Sequence, residues 1–267
     1  MLSKVARPHS ATLLPAARTV MVGRQPIRYA DHGAGSAERV LLLLNGIGAD
    51  LETSAAFARA FENTRVIAFD VPGVGASPAP LLPYRMRDVA DLAAALLDQL
   101  GLDRVDVFGV SWGGTAAQEF ALRHPARCRT MTLAATSAGC VVLPGGPGQL
   151  LQIGARLLGG KLRLDRDLIP LQAMLASRPN LRGYLYQLFA LCGWMSWFRL
   201  PRVQLPVLVL MGSDDPIVAP VNGRIIVSRL PRATMETLDC GHLFMLTRPV
   251  EIARRVERFM MAHESPA

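Results

Sequence analysis

Apolar and polar positions along this chain follow two alternating rhythms. Residues 40–44 are continuously apolar, as in a strand covered on both faces. Residues 66–69, 105–110, 130–134, 206–211 and 234–238 are further short runs rich in β-branched and apolar side chains, which predicts five more strands. Apolar residues return every three or four positions over 86–100, 115–123, 222–229 and 250–261, predicting helices. Alternating strands and helices imply an α/β fold, with a mostly parallel central sheet and helices on both faces. No internal repeat is visible.

One region breaks the rhythm. Residues 138–202 contain no good strand, and Pro144-Gly145-Gly146-Pro147-Gly148 supplies a cluster of turn-formers near its start. Helical patterns follow, ending in an aromatic-rich run from Gly183 to Phe198 that holds two of the chain's three tryptophans. Inserted after the strand over 130–134, such a segment overhangs the C-terminal strand ends, where open α/β sheets bind ligands. It reads as a helical lid. The expected organisation is therefore an N-terminal extension over 1–20, a core over 21–137 and 203–267, and the lid over 138–202. Most lid aromatics should fill the lid's own small core. A minority, with Phe189, Trp194 and Trp197 as candidates, should line an apolar substrate groove together with Asn45 and Leu243.

Composition narrows the class. A chain of 267 residues with 51% hydrophobic and 19% charged residues can bury one large core. No apolar run reaches the ~18 residues of a membrane-spanning helix. Cys128, Cys140, Cys192 and Cys240 are scattered, without the spacing of a metal site, and read as reduced thiols of a cytosolic protein. No cofactor or metal is expected. The net charge is +8, but the arginines are dispersed and do not interleave with aromatics, so a solvated basic surface is expected rather than a nucleic-acid partner. Lys4, Arg7 and Arg18 precede the first acid, Asp31, without the apolar core of a secretory signal. Residues 1–20 are thus expected to be a loose cytoplasmic extension.

The chemistry centres on Gly109-Val110-Ser111-Trp112-Gly113. A serine on a sharp strand-to-helix turn is pushed out over the sheet edge, and flanking glycines let strand and helix approach. Its hydroxyl needs a base, and the base needs an acid to orient it. Behind such an elbow the acid and then the histidine follow in chain order. His242, in Asp239-Cys240-Gly241-His242, comes just after the last strand. His9 and His263 lie near the termini, His32 in a turn before the first core strand, and His124 at a helix end. Asp214 and Asp215, in the loop after residues 206–211, compete as the acid. Two N–H donors must hold the developing oxyanion. Trp112 N–H follows the nucleophile, and Ile47 N–H lies in the Asn45-Gly46-Ile47-Gly48 loop. That loop has neither the Lys-Ser/Thr of a P-loop nor a full GxGxxG.

With these residues placed, the chain resembles the α/β-hydrolases, and more narrowly the intracellular depolymerases of medium-chain-length polyhydroxyalkanoates. The likeness rests on LLLLNGIGADLE from Leu41, VIAFDVPGVGASP from Val66 and VDVFGVSWGGTAAQEFA from Val105. It continues through RGYLYQLFALCGW from Arg182, GSDDPIV from Gly212 and DCGHLFMLTRP from Asp239. Its Gly-x-x-Asp-x-x-Val pattern selects Asp215 over Asp214. The resemblance implies ester hydrolysis through an acyl-enzyme on Ser111, with a hydrophobic polyester, at a storage-granule surface, as the partner. A carboxylesterase or lipase acting on small esters shares every catalytic residue. A cofactor-free haloperoxidase-like enzyme and a non-catalytic binding protein on the same scaffold are the remaining alternatives.

Overall fold

The computed structural model describes residues 17–33, 39–143 and 180–263. Eight strands form one sheet: β1 (Arg18–Val22), β2 (Gln25–His32), β3 (Arg39–Leu44), β4 (Thr64–Phe69), β5 (Val105–Val110), β6 (Cys128–Ala134), β7 (Val207–Gly212) and β8 (Ala233–Leu238). Their spatial order is β1-β2-β4-β3-β5-β6-β7-β8. β1 and β2 pair antiparallel, as do β2 and β4, and every other pairing is parallel. The helices are α1 (Leu51–Ala58), α2 (Met86–Gln99), α3 (Trp112–Arg123), α4 (Leu181–Leu191), α5 (Pro220–Val227), α6 (Phe244–Thr247) and α7 (Pro249–Ala262). This is the α/β-hydrolase fold.

The apolar runs are strands because they serve two cores at once. Successive side chains of a strand point to opposite faces. Leu42 and Leu44 of β3, Val105 and Val107 of β5, and Val207 and Val209 of β7 join α2, α3 and α5 on one face. Leu41 and Leu43, Phe108 and Val110, and Leu208 and Leu210 join α1 and α7 on the other. Asp106 is the exception inside β5. It is fully buried, receives two hydrogen bonds from Arg39 at 2.8 and 2.7 Å, and accepts one from Thr130 at 2.7 Å.

Four elements lay outside the expected pattern: β1, β2, α1 and the short α6. β1 and β2 carry mixed polar residues because they form the antiparallel rim, and a two-residue turn at Gly23-Arg24 joins them. The loose extension expected over 1–20 is corrected at its end, since Arg18 already pairs with Tyr29 in the sheet. Residues 1–16 lie outside the described residues. Helix α1 begins at Asp50, whose carboxylate accepts from Thr53 N at 2.9 Å and caps the first turn. α3 starts at Trp112, three residues before its apolar spacing suggests, because the strand passes directly into the helix at Ser111. Of the expected lid, 138–143 and 180–202 are described, and the Pro-Gly cluster lies outside. No helix among the described residues is long and apolar enough to cross a membrane.

Candidate active site

Ser111 sits between β5 and α3 with φ 54° and ψ −119°. A non-glycine residue pays for positive φ with steric strain, so the surroundings must impose the conformation. They do so by close packing. A methyl group on Gly113 would collide with the carbonyl oxygens of Leu44 and Asn45. One on Gly109 would stand 2.7 Å from Ala117 Cβ. The serine backbone is tied on both sides: its N–H donates to Ala134 O at 2.9 Å, and its carbonyl accepts from Thr136 Oγ1 at 2.7 Å. The elbow read from the sequence is therefore a strained turn held by its neighbours.

Three loops bring a hydrogen-bonded chain together. His242, in the loop after β8, places Nε2 3.2 Å from Ser111 Oγ and Nδ1 2.7 Å from Asp215 Oδ2. Asp215 lies after β7 and is fully buried. Its other oxygen accepts from Ile217 N at 2.9 Å and Val218 N at 2.8 Å, which fixes the carboxylate plane. With Nδ1–H donating to Asp215, Nε2 is free to accept the serine proton. Asp214 is exposed, and its N–H donates to Cys240 O at 3.0 Å, so the structure brings Asp215 to the histidine. The arrangement can deprotonate Ser111, hold the imidazolium, and return the proton to a leaving group.

The loop after β3 faces the elbow. Gly46 lies against Ser111, where a methyl group would come within 3.7 Å of the serine Cβ. Ile47 is half-buried on the α2–α3 core, and Trp112 N–H begins α3, where no intrahelical acceptor exists. Asn45 was expected to touch substrate. Its Nδ2 instead donates to Asp50 O at 3.2 Å and Ser54 Oγ at 3.0 Å, stapling this loop to α1.

Sequence reasoning missed Gln187. It is buried on α4 and accepts Gly48 N–H through Oε1 at 2.8 Å. Its backbone carbonyl accepts from the Trp112 indole at 2.9 Å. One residue of α4 thus touches both loops that carry the candidate oxyanion donors. Gly183, one turn earlier, permits the docking: a methyl group there would overlap the Gly73 carbonyl. The signal was a lone polar residue at i+4 from Gly183 in an apolar helical run.

The remaining expected groove residues have other partners. Trp194 is 8% exposed in the core beside α3, and its indole donates to Glu119 Oε2 at 2.8 Å, which corrects its expected groove position. Arg229 lies 4.9 Å over the Trp197 ring and Arg85 lies 4.2 Å over Phe189. Leu243, half-buried, follows His242 at the start of α6.

Fold and site together define the class, and sequence comparison agrees. The chain belongs to the α/β-hydrolase family, whose sequence pattern, described as the alpha/beta hydrolase fold, matches residues 39–152. It is 40% identical to the poly(3-hydroxyalkanoate) depolymerase of Ectopseudomonas oleovorans, over 94% of each chain. It is 27% identical to 3-oxoadipate enol-lactonase 2 of Acinetobacter baylyi, covering 85% of this chain and 90% of that one. Among solved structures, a hydrolase from Pseudomonas aeruginosa superposes with a TM-score of 0.78 at 27% identity, covering 92% of this chain and 98% of that chain.

Proposed function

We propose that this protein is a serine hydrolase that cleaves the ester bonds of a medium-chain-length poly(3-hydroxyalkanoate). The observation that carries the reading is the Asp215–His242–Ser111 hydrogen-bonded chain, with its 2.7 and 3.2 Å links. Ser111 Oγ attacks the ester carbonyl while His242 Nε2 takes its proton. The N–H groups of Ile47 and Trp112 hold the oxyanion. His242 then protonates the departing alkoxide, Asp215 stabilising the imidazolium throughout. Water, activated by the same nitrogen, releases the 3-hydroxy acid and restores Ser111.

The name of the 40% identical relative supports the polymer as substrate. So does an apolar surface on α4. Leu181, Leu185 and Leu188 are exposed at helical spacing, so they share one face. Leu81, 88% exposed, is held beside them by hydrogen bonds from Arg182 and Tyr186 to its carbonyl, with exposed Leu82 adjoining. In this reading the exposed face of α4 rests on an intracellular polyester granule. Each alkyl methylene buried from water contributes about 0.8 kcal/mol. The test is release of 3-hydroxy acids from amorphous polymer, run beside p-nitrophenyl octanoate hydrolysis with Ser111→Ala as blank. Polymer turnover that vanishes in the variant is expected. Octanoate turnover without polymer release makes this a small-ester hydrolase.

A further inference from the structure

Four arginines remote in sequence converge on one cleft. Arg104 precedes β5, Arg129 lies in β6, Arg202 precedes β7 and Arg232 precedes β8. Arg104, Arg129 and Arg232 stand at the N-terminal ends of their strands and Arg202 in the turn that leads into β7, whereas Ser111, Asp215 and His242 follow the C-terminal ends. A six-residue strand spans about 20 Å, so the two places lie on opposite ends of the sheet. The cleft has a volume of about 610 Å³, within the range of small-molecule sites. Gln204 and His263 add two further nitrogen-bearing side chains, and among the described residues no aspartate or glutamate lines it.

The charges there are unmatched. Arginines nearby have carboxylate partners: Arg39 pairs with Asp106, Arg127 with Asp98, and Arg199 with Glu119. Among the described residues, Arg104, Arg129, Arg202 and Arg232 have no ion pair and no side-chain hydrogen bond. Arg129 is the sharpest case, because its Nη1 is buried without any partner. A buried guanidinium N–H left unsatisfied is costly, and four cations around one cleft repel one another. One polyanion relieves both. Guanidinium forks match phosphate oxygens two at a time, which a carboxylate-poor, arginine-rich lining favours.

We propose that this cleft binds a small polyphosphate, two or more linked phosphates, free or carried on a nucleoside. Four guanidiniums exceed what a single phosphate needs. Among the described residues the lining offers no phenylalanine, tyrosine or tryptophan, so phosphate rather than a base is what it reads. The bounded cleft also differs from the long basic track that follows a nucleic-acid backbone.

Titration calorimetry on the full chain tests this, with sodium triphosphate as probe against orthophosphate and sulfate at matched ionic strength. Saturable one-to-one binding is expected, at least tenfold tighter for triphosphate than for orthophosphate. It should persist in Ser111→Ala, which separates this site from the hydrolytic one. Arg129→Met should weaken it about tenfold, the scale of one charge-assisted hydrogen bond. Arg202→Ser with Arg232→Ser, both at exposed positions, should weaken it further while thermal unfolding verifies an intact fold. ADP binding that these variants also weaken assigns a nucleoside-borne ligand, and triphosphate binding alone assigns the inorganic form. No saturable triphosphate binding, binding indifferent to all three arginine substitutions, or binding to an RNA oligomer but not to triphosphate overturns the proposal.

Discussion

The Ser111 elbow and helix α4 adjoin each other but are held by different means. The elbow is locked by the sheet: its strain is imposed by backbone contacts from β3 and α3 that no side chain can relax. Helix α4 lies outside the sheet and meets the site through side chains as well as backbone, among them the Gln187 amide and the close Gly183–Gly73 approach. The difference separates two jobs. Under the proposed function, bond cleavage depends on groups the core fixes, and reach toward a polymer on the exposed face of α4.

Substitutions can break or sharpen that division. The largest effect belongs to the core. Ser111→Ala or His242→Gln should lower kcat by about 10⁶-fold on polymer and small ester alike, because triad members act as a unit. Steady-state rates on both substrates, with unchanged thermal unfolding, check this. Gln187→Leu comes next. It leaves the Gly48 N–H without its acceptor and frees the loop that carries the candidate oxyanion donor Ile47, so kcat should fall by about 10- to 100-fold on both substrates with KM little changed. An effect on polymer alone would place Gln187 with substrate reach instead of loop positioning.

Leu185→Asp with Leu188→Asp probes the outer face of α4. Initial rates should drop severalfold on amorphous polymer and stay within twofold on p-nitrophenyl octanoate. Equal losses on both would remove the division between cleavage and reach. The smallest expected effect lies far from α4. His32 is held below the ordinary histidine range, first by desolvation and then by Arg59. The folded chain therefore binds this proton more weakly than the unfolded chain. Stability from His32 is complete above the unfolded value of about 6.5 and declines as pH falls through it. Melting temperatures between pH 7.5 and 5 should fall less steeply in His32→Gln, with the polymer-to-ester ratio unchanged.

Most core strands were legible in the sequence because burial on both faces leaves uninterrupted apolar runs, as in Leu41–Leu44. The elbow was legible for a related reason: two glycines at fixed offsets from a serine have a steric purpose there. The hairpin of β1 and β2 was not, since β1 is a largely exposed edge strand and polar residues such as Gln25, Arg28, Asp31 and His32 interrupt β2, so both read like loop. Trp194 misled because an aromatic in a lid segment looks the same whether it faces ligand or, as here, Glu119. Gln187 was hidden because its partners, Gly48 and Trp112, are 139 and 75 residues away in the chain. The arginine cleft was hidden likewise: residues dispersed along the chain share the starts of adjacent strands only once the sheet order is known.

The proposed function requires Ser111 to be a nucleophile activated by His242. Labelling the intact chain with a fluorophosphonate and locating the adduct by peptide mass tests that most directly. One adduct on Ser111, formed rapidly by the native chain and at least a thousandfold more slowly by a folded His242→Gln variant, is the predicted result. An adduct on another residue, or none on Ser111, would contradict it.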